Sequence, residues 1–209
     1  MKVVRTSVLI AAPADLVFDL ARDVRIHSRG LAHTHEKAEP PGRTRGLLLA
    51  GDLLSLRARH FGLSWRYHAR VVVCEPPDRL VDVQERGPWR SMRHEQRFVQ
   101  TGAGTLLTEE LCWCSPLGAL GSAADTFLLR RHLRHLLLVR DAHLRMVAEQ
   151  VVADSAGSVR SEESVGSVGS VGSVEKIGPV RAAGPGGPAE SVGPVGPSGT
   201  VGRAEPVSP

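Results

Sequence analysis

The chain changes character near Asp154, and that break decides how much of it can fold. Beyond it there is no aromatic residue; the text becomes Ser-Val-Gly repeats from Ser164 to Val174 and then Gly- and Pro-rich sequence to Pro209. Such a segment buries too little apolar surface to offset roughly 1–2 kcal/mol of backbone ordering entropy per residue. One domain over residues 1–152 and a disordered tail over 153–209 is therefore expected, and every long-range contact must come from the first part.

Within that part, short alternating runs separated by turn signals predict an antiparallel meander. Val4, Thr6, Val8 and Ile10 alternate with Arg5 and Ser7. After Pro13, Ala14, Val17, Phe18 and Ala21 recur at helical spacing, and a second short helix is expected over 24–29. Strands follow over 33–38, 52–61, 65–75, 80–86, 89–99 and 105–114, the last two joined at Gly102-Ala103-Gly104. Pro116 and Gly118 end the sheet, and a long helix is predicted over 119–152. Its apolar stripe carries Leu129, Leu133, Leu136, Leu137, Arg140, Leu144 and Val147, with Arg130, Arg134, Asp141 and Arg145 largely off it. The fold class is α+β: a curved antiparallel sheet wrapped around a long C-terminal α-helix, with two short helices after the first strand. Gripping one helix in this way leaves a space between helix and sheet, and apolar space with a few placed polar groups is how ligand pockets are built.

Composition narrows the function. The chain's formal charge of +4 comes mostly from arginine, lysine occurring only at Lys2, Lys37 and Lys176, and the tail is acidic overall. The excess is too mild to require an acidic partner. The basic run Arg130, Arg131, His132, Arg134 and His135 reads as a solvated helix face, so no nucleic acid is expected as a partner. Cys74, Cys112 and Cys114 lack zinc-site spacing, and the latter pair shares an outer strand face. His27, His33 and His35 have no further ligand at fixed spacing, so no metal is expected. No run approaches the ~20 apolar residues of a membrane span. No secretion signal is recognisable, so the expected location is the cytoplasm.

The alternation also aims polar groups inward. His94 and Gln96 share a face with Met92 and Phe98, Glu109 shares one with Leu107, Leu111 and Trp113, and Arg140 lies on the buried helix stripe. Charges on apolar faces are tolerated only when paired, so Glu109 and Arg140 are expected to form an ion pair with His94 nearby. Asp82 and Gln84 join them on one of the two parities open to that strand, Val81 and Val83 supporting the other. Apolar lining is expected from Leu54, Leu56, Trp65, Tyr67, Met92, Phe98, Leu107, Leu111 and Trp113 of the sheet and from Leu133 and Leu137 of the helix, with the polar group anchoring the ligand.

The phrases "SVLIAAPADLVFDLARDV", "GDLLSLRARHFGLSWRYHARVVVCEPPDRLVDVQERGPWRSMRHEQRF" and "GTLLTEELCWCSPLG", with "LLLVRDAHL" in the long helix, together resemble the SRPBCC or START-like superfamily over residues 3–150. The resemblance implies a helix-grip fold with a cavity for a lipid, quinone or polyketide-like molecule. It points to the branch containing polyketide cyclase/dehydratases and coenzyme Q-binding proteins. Related stand-alone proteins often carry "GPF" and His-x-His phrases where this chain has Gly87-Pro88-Trp89 and His94-Glu95-Gln96. The leading expectation is a binding or carrier protein for a hydrophobic small molecule, without cofactor. The alternative is a cofactor-free cyclase or dehydratase with Glu109 or His94 as acid/base.

Overall fold

The computed structural model describes residues 1–114 and 128–165. Seven strands form one antiparallel sheet: β1 (Lys2–Ile10), β2 (Lys37–Ala38), β3 (Leu53–His60), β4 (Leu63–Glu75), β5 (Arg79–Arg86), β6 (Ser91–Thr101) and β7 (Gly104–Cys114), in the order β1-β7-β6-β5-β4-β3-β2. Helices α1 (Ala14–Ala21) and α2 (Val24–Gly30) follow β1, and α3 (Arg130–Val165) packs along β1, α1 and α2. The expected start of the long helix at 119 and the Pro116–Gly118 terminator lie outside the described residues, as do residues 166–209 of the expected tail. At its other end α3 continues to Val165, past the boundary expected at 152.

Hairpin register turns sequence alternation into faces. Residues directly opposite on neighbouring strands point the same way, so Gln96 opposite Glu109, Glu109 opposite Thr6, and Asp82 opposite His94 place polar rows on the concave side. The parity left open on β5 is settled here: Asp82 and Gln84 face inward, paired with His94 and Ala69 respectively. The convex side is charged. Glu95 there meets Arg79 at 3.0 Å and Arg93 and Arg97 at 2.5 Å each. Cys112 and Cys114 share this outer face, Cys112 buried against Glu110.

The strand expected over 33–38 is mostly not a strand. Residues Ala32–Thr34 form a 3-10 turn in which Thr34 Oγ1 donates to the Leu31 carbonyl at 2.8 Å, and His35 then adopts a left-handed φ of 55°. Only Lys37 and Ala38 reach β3. Local side-chain-to-backbone bonding competes with sheet pairing at Thr34, and alternation cannot reveal that.

Two apolar clusters hold α3 to the sheet. Leu144 and Ala148 sit in a closed core with Ile10, Val17, Phe18, Phe98 and Leu107. The Phe18 and Phe98 rings meet edge-on, centroids 5.2 Å apart. Further up the helix, Leu129, Leu133, Leu136 and Leu137 pack with Leu31, Leu111 and Trp113, with Trp89 and Met92 partly buried beside them. Gly30 lets α2 approach α3 closely: a Cβ there would stand 3.1 Å from Arg140 Cγ.

Candidate functional site

A cavity of about 160 Å³ lies between the upper half of α3 and the sheet. Of the residues expected to contact a ligand, Leu54, Leu56, Trp65, Tyr67, Asp82, Met92, His94, Leu111, Leu133, Leu137 and Arg140 line it. Gln84, Gln96, Phe98, Leu107, Glu109 and Trp113 do not. Phe98, Leu107 and Trp113 are on the inward face but have their side chains closed over by neighbours, at 2%, 0% and 0% exposure. Alternation gives the face of a residue, not its depth along the groove. Gln84 is spent locally, its Nε2 donating to the Trp89 carbonyl at 2.6 Å. Gln96 and Glu109 form a layer behind the cavity wall.

The sequence reading missed His27, Leu31, Glu36, Ala58, His60, Phe61, Pro88, Trp89, Leu129, His132 and Leu136 as lining. Signals existed for some. Ala58 and His60 share the parity of Leu54 and Leu56, and Leu136 was on the helix stripe. His27 is one helical turn from buried Val24 and one from buried Gly30, so it faces inward. His132, from the basic run, turns out of the solvated face: its Nε2 lies 3.1 Å from His60 Nδ1, and its ring packs 4.6 Å from that of Phe61. Arg130, Arg131, Arg134 and His135 stay on the outer side of α3, none of them buried. Phe61, more than half exposed, marks where the cavity reaches the surface. Trp65 and Trp89 stack nearly parallel in the wall, centroids 6.5 Å apart.

One end of the cavity is polar. Arg140 Nη2 donates to Glu109 Oε1 at 2.8 Å and lies 3.2 Å from His94 Nε2. His94 bridges two carboxylates, with Nδ1 3.3 Å from Asp82 Oδ1 and Nε2 3.4 Å from Glu109 Oε1. Tyr67 donates to Asp82 Oδ2 at 3.1 Å, and Gln96 Nε2 donates to Glu109 Oε1. Burial and Arg140 both push the His94 imidazole down, but Asp82 and Glu109 outweigh them and hold it up at about 9. Burial would raise Glu109, yet Arg140 and His94 hold it far below the usual carboxylate range. Asp82 is likewise held down, against burial, by His94. At neutral pH the quartet therefore carries two positive and two negative charges.

Behind it lies a carboxyl that the helix periodicity placed off the buried stripe. Asp141 is 3% exposed because its side of α3 packs on β1, where Thr6 Oγ1 donates to Asp141 Oδ2 at 3.1 Å. Its other oxygen, Oδ1, and Glu109 Oε2 are both buried, and neither accepts a hydrogen bond from another group. Two acceptors cannot satisfy each other unless one carries a proton. Burial first, and then the Glu109 charge, raise Asp141 to about 8, so it is the protonated member and donates to Glu109.

A second polar point lies near enough to the quartet to feel the charge of Arg140. Glu36 has a side chain only 6% exposed, and His27 Nε2 is 3.7 Å from its Oε1, too far for a hydrogen bond. Burial pushes Glu36 up to about 7, although Arg140 draws it down; burial and Arg140 together push His27 down to about 3. Among the described residues no cluster of His, Cys, Asp and Glu could hold a metal ion. His33 and His35 are exposed and do not join His27, the His33 ring lying 6.3 Å from that of His135. No helix among the described residues is long and apolar enough to cross a membrane.

No protein-family model and no curated protein matches the sequence. Solved structures do match in shape. TTHA0849 of Thermus thermophilus is 19% identical, with a TM-score of 0.58 over 74% of this chain and 99% of that one. The di-domain ARO/CYC StfQ of the steffimycin biosynthetic pathway is 14% identical, with a TM-score of 0.55 over 72% of this chain and 51% of its own, so this chain spans about half of it. Major latex-like protein 151 of Panax ginseng is 10% identical, with a TM-score of 0.50 over 70% and 97% of the two chains. The strand order, the two short helices after β1 and the long C-terminal helix agree with these likenesses: the protein has the helix-grip fold expected from its sequence.

Proposed function

We propose that the protein binds a small, largely apolar molecule between α3 and the sheet, with the Arg140 end of the cavity orienting one polar group of that molecule. The observation that carries this reading is an apolar-walled cavity of about 160 Å³ kept open beside a buried, charge-balanced quartet. Arg140 uses a single nitrogen, Nη2, for Glu109. Its other N–H groups make no hydrogen bond among the described residues and can serve a ligand carbonyl or hydroxyl. Burying the ligand's hydrocarbon then contributes about 25 cal/mol per Å² removed from water.

Titration with 1-anilinonaphthalene-8-sulfonate, which brightens in apolar surroundings, tests the reading. One saturable site is expected, competed by the natural ligand identified by native mass spectrometry of protein from its own host. Ala58→Trp projects a large ring into the cavity from a buried position on β3 and should abolish the site while leaving the circular dichroism unchanged. An undiminished site in that variant sinks the proposal.

One observation favours a second reading, catalysis of cyclisation or dehydration: His94 lines the cavity and is charged at neutral pH, so its positive charge can polarise a carbonyl oxygen beside it, both ring N–H groups being turned to Asp82 and Glu109. Glu109 suits that role less well. It is fully buried, does not line the cavity, and its Oε1 already accepts from Gln96 and Arg140. On a poly-β-ketone mimic, His94→Gln should then lose turnover that Glu109→Gln retains; equal loss in both assigns the quartet to structure.

A further inference from the structure

The quartet does not explain Glu36. It stands on the short turn between the 3-10 segment and β2, its side chain 6% exposed and facing the cavity. Its Oε1 is buried and accepts no hydrogen bond from the protein. His27, the nearest donor at 3.7 Å, is too far and stays neutral. Leaving a buried carboxylate oxygen without a donor is costly, and a Leu at this position would avoid that cost. The same chain satisfies the other cavity-lining acid, Asp82, through Tyr67 and His94. The unmet acceptor therefore points to a donor that arrives with the ligand.

Resting on the ligand-binding reading above, we propose that Glu36, backed by His27, is the hydrogen-bond acceptor for a hydroxyl group of the cavity's ligand, so that the preferred ligand is an apolar ring or chain bearing an alcohol or phenol. The walls agree: Leu56, Leu133, Leu137 and the stacked Trp65–Trp89 pair offer hydrocarbon and π-faces to the rest of such a molecule. The charge balance agrees too. With Asp82 and Glu109 already matched by His94 and Arg140, an ionised Glu36 has no full counter-charge left. A ligand carboxylate at Glu36 would be repelled, whereas a neutral hydroxyl donor is held.

The test uses the full-length chain and two rings of the same size, 2-naphthol and 2-methylnaphthalene, followed by quenching of the tryptophan fluorescence. Wild type is expected to bind 2-naphthol roughly ten- to a hundred-fold more tightly, the worth of one hydrogen bond to a charged group. In Glu36→Leu that preference should vanish while 2-methylnaphthalene binds as well as before or better. Should Glu36→Leu not fold, Glu36→Gln gives a second readout. Wild-type preference for 2-naphthol should grow from pH 6 to pH 8 as Glu36 ionises, and it should be flat in Glu36→Gln. Of the groups around Glu36, His27 and Tyr67 remain neutral, Asp82 ionised, and His94 and Arg140 charged throughout; Asp141, at about 8, begins to lose its proton only at the top of the window and does so in Glu36→Gln as well. Equal binding of both rings by wild type, or a preference that survives in Glu36→Leu, overturns this proposal and leaves the ligand-binding reading standing. Binding of neither ring overturns both.

Discussion

Raising the pH from 6.5 to 9 should destabilise this protein steeply, and Asp141→Asn should remove part of the slope. Two buried groups keep protons in the folded state that the unfolded chain releases. Asp141 holds its proton up to about 8 against 3.8 when unfolded, and His94 up to about 9 against 6.5. Both folded values lie above the unfolded ones, so the stability each contributes is complete below its unfolded value and is lost as pH rises through its folded value. Each proton held in excess costs about 1.4 kcal/mol of stability per pH unit. Between pH 6.5 and 8 Asp141 therefore contributes a loss of about 2 kcal/mol, and between 6.5 and 9 His94 contributes about 3 kcal/mol. Glu36 adds to the fall only up to about 7. Below pH 6.5 the direction is contested, because His27 and His60, lowered to about 3 and about 4, make stability rise with pH there. From 6.5 to 9 those two histidines lose the half-proton that each still holds in the unfolded chain at pH 6.5, which offsets the fall by only about 0.4 kcal/mol each. A total loss of about 5 kcal/mol is a large share of the roughly 5–15 kcal/mol that holds a domain together. With a urea dependence of about 2 kcal/mol per molar, it moves the unfolding midpoint down by roughly 2.5 M. Asparagine at 141 keeps an N–H for Glu109 Oε2 and has no proton to lose, so its slope between pH 6.5 and 8 should be about half that of wild type. Equal midpoints at pH 6.5 and 9, or a steeper slope in Asp141→Asn, would refute the proton placed between Asp141 and Glu109.

Arg140→Met leaves Glu109, 0% exposed, with His94 as its remaining cation and should cost about 3–5 kcal/mol by thermal or urea unfolding; the double variant Arg140→Met with Glu109→Leu should recover much of that. Phe18→Ala empties the edge-on partner of Phe98 in the closed core and should cost about 3–5 kcal/mol, with no change in ligand affinity because neither ring lines the cavity. Gly104→Ala forces a Cβ to 2.1 Å from the Ile10 carbonyl oxygen at a φ of 122°, so the β6–β7 turn must shift; a drop of several degrees in melting temperature is expected, and an unchanged melt would show that the turn relaxes freely.

Much of the fold was legible because alternation and helical spacing report faces. The parity of Met92, His94, Gln96 and Phe98 was readable, as was that of Leu107, Glu109, Leu111 and Trp113, and the register of β6 on β7 follows from the turn between them. What alternation lacks is depth. His94 and Phe98 share a face, yet one lines the cavity and the other fills the closed core, because α3 meets the sheet tightly at Leu144 and Ala148 and stands off it beside Leu133 and Leu137. The Glu109–Arg140 contact could be expected, since a buried charge needs a partner. Asp141 could not: on a helical wheel it looks solvated, and only the packing of β1 against that flank, at Thr6, buries it. Glu36 was hidden for another reason. The strand expected through 33–38 carried no sign of the left-handed His35, which breaks the run and turns Glu36 toward the cavity.

The cavity exists where it does because the charged layer divides the groove. On one side of it Phe18, Phe98, Leu107 and Leu144 interdigitate with almost no exposure, as a hydrophobic contact between helix and sheet ordinarily does. At the layer, Arg140, His94, Glu109 and Asp82 need hydrogen-bonding distances to one another and cannot be compressed further without losing partners. They act as a spacer that fixes the height of α3 over β6 and β7. Beyond them the helix side chains are leucines and the sheet side chains include Ala58, whose small volume cannot fill the gap that the spacer sets. Replacing the whole quartet with leucines of matched volume should therefore let α3 settle onto the sheet, raise stability and close the cavity together. A stabilised quartet-free variant that still bound an apolar probe would show that the hollow has some other cause.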